Sequence, residues 1–101
     1  MDGIVPAKYS NVIATNLGTT IANQSNVKIS TIEHLMAAIW GCGIDNLYID
    51  INGSEIPIMD GSSMPFVELL KQVGTVELEA ERDYFAIPYN VHFNDPKNSI
   101  E

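Results

Sequence analysis

The clearest hydrophobic rhythm in the chain runs from Ile32 to Trp40. Ile32, Leu35, Met36, Ile39 and Trp40 recur at three- and four-residue spacing and share one helical face. Ser30-Thr31-Ile32-Glu33 fits a capping box, in which a Ser side chain takes the N–H three residues on and Glu33 reaches back. Ala37 and Ala38 favour helix, and Gly41 or Gly43 ends it in a left-handed conformation. On this pattern Trp40 continues the core stripe.

Other segments alternate with period two. Residues 4–15 read as a short strand with loops, and Thr19 to Ala22 as a second strand after the turn-prone Asn16-Leu17-Gly18. Val27 and Ile29 flank Lys28 in a strand-like beat leading to the helix. From Ile44 to Ile51, Leu47, Ile49 and Ile51 point one way and Asn46, Tyr48 and Asp50 the other. Asn52-Gly53 predicts a two-residue hairpin turn, with Ser54 to Ile58 returning and Pro57 marking an edge. A second helix follows the Met59–Ser63 loop, with Ser62 or Ser63 as cap and Pro65 in its first turn. Phe66, Val67, Leu69, Leu70 and Val73 form its stripe, and Gly74 stops it. Thr75 to Leu78 reads as a short strand, and Tyr84 to Phe93 as one more, interrupted by Pro88. Between them lies an acidic, exposed linker, and Asn94 to Glu101 are polar and turn-like with no closing element. The order predicts an α+β, two-layer sandwich: a mainly antiparallel sheet with two helices on one face.

Composition narrows the chemistry. The 101 residues, 46% of them apolar, suit one small globular core. No apolar run reaches the ~20 residues of a membrane span, and the N-terminus lacks signal-peptide features, so a cytoplasmic location and no transmembrane segment are expected. One cysteine excludes an internal disulfide and a Cys-only zinc cage. A net charge of -8 argues against nucleic acid as a partner.

Glu33-His34 is the one pair with a chemical look. A neutral imidazole is a good zinc ligand, and a carboxylate beside a metal-bound water can take its proton. Adjacent helical residues diverge by about 100°. The two therefore serve one site only at the helix start, whose dipole also favours an anion. The structural alternative makes Glu33 the capping-box acid and His34 a polar flank residue. His92 and Asp95 read as an exposed strand residue and a turn aspartate, Cys42 as a packing residue, and Asp60 as a hydrogen-bonded turn residue.

Two stretches carry a family resemblance. Residues 29–49, Ile-Ser-Thr-Ile-Glu-His-Leu-Met-Ala-Ala-Ile-Trp-Gly-Cys-Gly-Ile-Asp-Asn-Leu-Tyr-Ile, resemble the signature of the UDP-3-O-acyl-N-acetylglucosamine deacetylases. So do residues 54–67, Ser-Glu-Ile-Pro-Ile-Met-Asp-Gly-Ser-Ser-Met-Pro-Phe-Val. The resemblance covers residues 5 to about 80 well and 81–101 loosely. It implies a zinc-dependent hydrolase of lipid A biosynthesis in Gram-negative bacteria. His34 matches the first zinc ligand and Glu33 the general base. Leu17, Gly18 and Thr19 match a loop bordering metal and substrate, with Gly18 where Cys or Ser is frequent. Met59-Asp60-Gly61-Ser62 matches a signature given a structural role.

The implied reaction is hydrolysis of the acetamide of UDP-3-O-acyl-N-acetylglucosamine to acetate and free amine. The family fold consists of two similar α+β halves with the site between them. On that comparison, residues 1–80 are expected to be a partial first domain lacking its opening strands. Residues 81–101 are expected to be a linker and the truncated start of the second. The remaining Zn2+ ligands, a His and an Asp spaced His-x-x-x-Asp, and the general-acid His belong to that second half, the partner this chain would need. Alone, the chain is expected to be inactive. The alternative is a non-catalytic fragment or a self-associating binding module.

Overall fold

The computed structural model describes residues 2–97 and the backbone of residues 99–100. A turn of 3-10 helix at Tyr9–Asn11 leads into β1 (Val12–Ala14). Strands β2 (Thr20–Ala22) and β3 (Lys28–Ile29) follow, and the three form an antiparallel sheet in sequence order. Val12 pairs with Ile21 and Ala14 with Thr20, so β1 carries one extra residue, a bulge at Ile13. Helices α1 (Glu33–Gly41) and α2 (Met64–Val73) come next. A two-residue hairpin of β4 (Phe93–Asn94) and β5 (Ser99–Ile100) ends the described chain, where a polar turn without a closing element was expected. Residues 98 and 101 of that stretch lie outside the description. Sheet and helices make the α+β arrangement that the pattern predicts.

The core is small. Ala38, Ile56 and Phe66 are buried together, and Ile29, Ile32, Leu35, Val67 and Leu70 pack around them. Ile29 carries the sheet into this cluster, and Ile21 and Ala22 are the other buried residues. Ala38, fully enclosed, lets α1 approach α2 closely, because any larger side chain would hold the helices apart. Burying a side chain of the size of Ile56 or Phe66 stabilises by about 1.5–3 kcal/mol. Both helices end as expected, with Gly43 (φ +67°) and Gly74 (φ +79°) left-handed. Pro65 sits in the first turn of α2, and the Ser62 hydroxyl accepts from the Met64 N–H at 3.2 Å.

Four expectations need correction. The helical stripe is rotated: Ala38 takes the centre and Trp40 is 87% exposed. On α2, Leu69 and Val73 also face outward. The hairpin at Asn52-Gly53 does not form. Its returning arm is engaged elsewhere: Ser30 N–H donates to Ser54 O (2.9 Å) and Ile56 N–H to Ser30 O (3.0 Å), a parallel bridge between Ser30 and Glu55. Residues 44–51 are thus left without a ladder partner. The stretches 75–78 and 84–92 have the residues of strands but no neighbouring strand to bond, and they run as exposed irregular chain.

Candidate functional site

The capping box is the fourth expectation the structure overturns, and its failure builds the site. The capping box does not form: Ile32, not Ser30, is the N-cap residue, and it makes no side-chain cap bond. Ser30 Oγ instead accepts from Thr20 Oγ1 at 3.0 Å. The Glu33 carboxylate leaves its helix and accepts the backbone N–H of Thr19 at Oε2, 3.0 Å away. The carbonyl of the same Thr19 accepts from Ile32 N–H at 3.3 Å. One residue of the β1–β2 loop is therefore fastened at both main-chain atoms to the start of α1. The loop and helix positions singled out in the sequence, Leu17 to Thr19 and Glu33-His34, are brought together.

Gly18 lies directly against this contact. A Cβ there would lie 3.3 Å from Glu33 Oε1 and 3.7 Å from Thr31 Oγ1, and its φ of +154° is one that L side chains rarely adopt. Leu17 beside it has φ +59° and a fully exposed side chain. Thr31 (φ +60°) and Met59 (φ +54°) are also left-handed. For a β-branched residue such as Thr31 this is a true outlier, of a kind that costs about 1–3 kcal/mol and needs its surroundings to hold it. Those surroundings include Glu55, whose Oε1 accepts from Thr31 Oγ1 at 2.8 Å.

The electrostatics follow from these bonds. The Thr19 N–H holds the Glu33 carboxyl below its ordinary value, helped next by its own main-chain N–H and least by the charge of His34. Asp60 is also lowered, first by the Ser62 N–H (2.9 Å) and then by the Ser62 hydroxyl (2.8 Å). This confirms Asp60 as a turn-forming residue. The charge of His34 adds the least of these lowerings. Glu55 was missed by sequence reasoning. Twenty-four residues separate it from Thr31, and no spacing rule reaches that far. Cys42 is half-buried at the end of α1, and Asp95 accepts from Lys97 N–H in a turn, as expected for both.

Glu33 and His34 are each half-buried, open enough for a proton or a ligand to reach them. For zinc the fit is partial. His34 is one suitable donor, but among the described residues no three His, Cys, Asp or Glu side chains come together. Among the described residues this is one possible donor beside a carboxylate, short of the three protein ligands of a catalytic zinc. A groove of about 990 Å3 lies elsewhere, between residues 42–47 and 70–83, and includes neither Glu33 nor His34. No helix among the described residues is long and apolar enough to cross a membrane.

Comparison with known proteins bears on the chain as a whole. The family described as UDP-3-O-acyl N-acetylglycosamine deacetylase matches residues 1–101. A UDP-3-O-acyl-N-acetylglucosamine deacetylase of Geotalea uraniireducens is 47% identical over 96 residues, which is 95% of this chain and 31% of that protein. Its counterpart in Syntrophotalea carbinolica is 53% identical over 83 residues, 82% of this chain and 26% of that protein. One from Shewanella violacea is 45% identical over 97 residues, 96% of this chain and 32% of that protein. The chain therefore spans less than a third of the length of each of these relatives. With the whole of its length matched, the chain belongs to the UDP-3-O-acyl N-acetylglycosamine deacetylase family.

Proposed function

We propose that this chain supplies the base and one metal ligand of a zinc-dependent deacetylase. Its substrate would be UDP-3-O-acyl-N-acetylglucosamine, and its products acetate and the free amine, in lipid A biosynthesis in the cytoplasm of a Gram-negative bacterium. The observation that carries the reading is the Thr19–Glu33 bond. It sets a carboxylate, an adjacent imidazole and the Leu17–Thr19 loop at one helix start.

In this reading residues 1–80 are part of a first domain, and residues 81–101 a linker and the start of a second. When bound, zinc supplies polarisation of the acetamide carbonyl and of a water. His34 is the donor this chain would give it, with the remaining ligands from the second domain. Glu33 takes the water proton on a carboxylate oxygen. Oε2 already accepts from the Thr19 N–H, and Oε1 is the oxygen assigned to the proton here. Leu17, Gly18 and Thr19 line the substrate side, where a bare glycine keeps the carboxylate accessible.

The test joins the chain to the remaining segments its relatives carry and measures zinc-dependent acetate release. Glu33→Ala is expected to lower the rate by about 10²–10⁴ at unchanged zinc content, the usual contribution of a general base. His34→Ala is expected to lower zinc content itself. Full activity in either variant overturns the assignment.

A second reading, self-association without catalysis, draws on the exposed apolar row of Leu47, Ile49 and Ile51. A monomer by light scattering at high concentration would remove it.

A further inference from the structure

We infer that Glu55 is a positioning residue for the Glu33-His34 pair, acting through Thr31. The inference rests on the deacetylase reading for its consequence but on separate geometry for its substance. Thr31 holds a left-handed conformation, unfavourable for a β-branched residue, one residue before the N-cap of α1. The direction in which α1 leaves β3 depends on that conformation, and with it the places of Glu33 and His34. The segment is pinned on both sides by main-chain bonds. Before Thr31, Ser30 is bridged to Ser54 and Ile56; after it, Ile32 N–H is bonded to Thr19 O.

Among the described residues one bond holds Thr31 by its side chain, the 2.8 Å bond to Glu55 Oε1. A hydroxyl donating to a carboxylate is among the stronger neutral-to-charged hydrogen bonds. Glu55 itself is exposed, so it contributes little burial. Its contact with Thr31 is its one side-chain hydrogen bond among the described residues. A strained residue three positions before His34, clasped by a remote carboxylate, is the arrangement expected where backbone geometry must be over-determined. The sequence spacing is telling: the clasp joins the two stretches through which the family is recognised, residues 29–49 and 54–67.

Two measurements test this. The first uses the chain alone and follows amide hydrogen exchange at Thr19 and Ile32, the donors that register loop against helix. Glu55→Ala is expected to speed exchange at both by roughly tenfold. Glu55→Gln, whose side-chain oxygen still accepts, is expected to stay near the parent. Unchanged exchange in Glu55→Ala, or equal effects of Ala and Gln, overturns the inference.

The second uses the enzyme joined to its remaining segments. Glu55→Ala is expected to lower kcat about tenfold with KM little changed, within the loss that an ångström-scale displacement causes, and Glu55→Gln to restore it. Thr31→Gly adopts the left-handed conformation without strain. Adding Glu55→Ala to it is therefore expected to cost nothing further. A double variant that falls by the full tenfold shows that Glu55 acts elsewhere and overturns the inference, as does a loss confined to folded yield. If Glu33→Ala in the same assay is fully active, the deacetylase reading fails, while the exchange measurement still decides the clasp.

Discussion

The start of α1 and the stretch from Tyr84 to Val91 differ in a way their sequences do not announce. Both are rich in residues with strong local preferences. At the helix start, local preferences give way to bonds from distant residues: Thr19 to Glu33, Thr31 to Glu55, Ser30 to Ser54 and Ile56. In the other region Phe85 is 97% exposed and Tyr84 and Tyr89 nearly as open, with no ladder beside them. The difference teaches that alternation specifies a strand's faces but not its existence. A strand is a pairing, and pairing needs an edge to meet.

The comparison breaks most directly on stability. Phe66→Ala removes the largest buried side chain and is expected to cost about 3 kcal/mol or more, read by denaturant unfolding. Phe85→Ala, the same chemical change at an exposed position, is expected to stay within about 0.5 kcal/mol. Equal effects would erase the distinction between the two regions.

Gly18→Ala comes next. It meets the Glu33 carboxylate and an unfavourable backbone angle together, and is expected to destabilise by about 1 kcal/mol or more. Gly53→Ala, with nothing near its Cβ, is the control.

Arg82 sharpens the contrast from the open side. It bonds Asp45 through two nitrogens (2.7 and 3.0 Å) and the Gly43 carbonyl (3.0 Å), tying the acidic stretch back to the end of α1. Both partners are about half exposed, so Arg82→Ala is expected to cost less than about 1 kcal/mol, shrinking further at high salt.

Acid gives the smallest effect. Glu33 and Asp60 have folded values below their ordinary 4.5 and 3.8, so both bind protons more weakly when folded. Their contribution is present above those values and is lost as pH falls through the lower folded ones. Unfolding midpoints measured down that range are expected to drop less in Glu33→Gln than in the parent chain.

What could be read from the sequence follows the same division. The helix at residues 32–40 was legible because its spacing and glycine stop are local, and α2 because Pro65 and Gly74 bracket it. The roles proposed for Glu33 and His34 draw mainly on the family resemblance. The capping box was a sound local inference defeated by tertiary structure: a carboxylate that can cap its own helix found the Thr19 amide instead. Trp40 followed the stripe but faces out, since Ala38 sets the line of closest approach. The hairpin expected at Asn52-Gly53 fails because its returning arm bonds to Ser30 instead, beyond the reach of any short-range rule.

The acid at the helix start is held by an atom that ordinary mutation does not remove. Because Thr19 offers its main-chain N–H, position 19 can change side chain freely and keep the bond, proline excepted. The burden of constraint falls on its side-chain-less neighbour. A side chain added at position 18 has to displace the Glu33 carboxylate, whereas a change of side chain at position 19 leaves the main-chain bond in place.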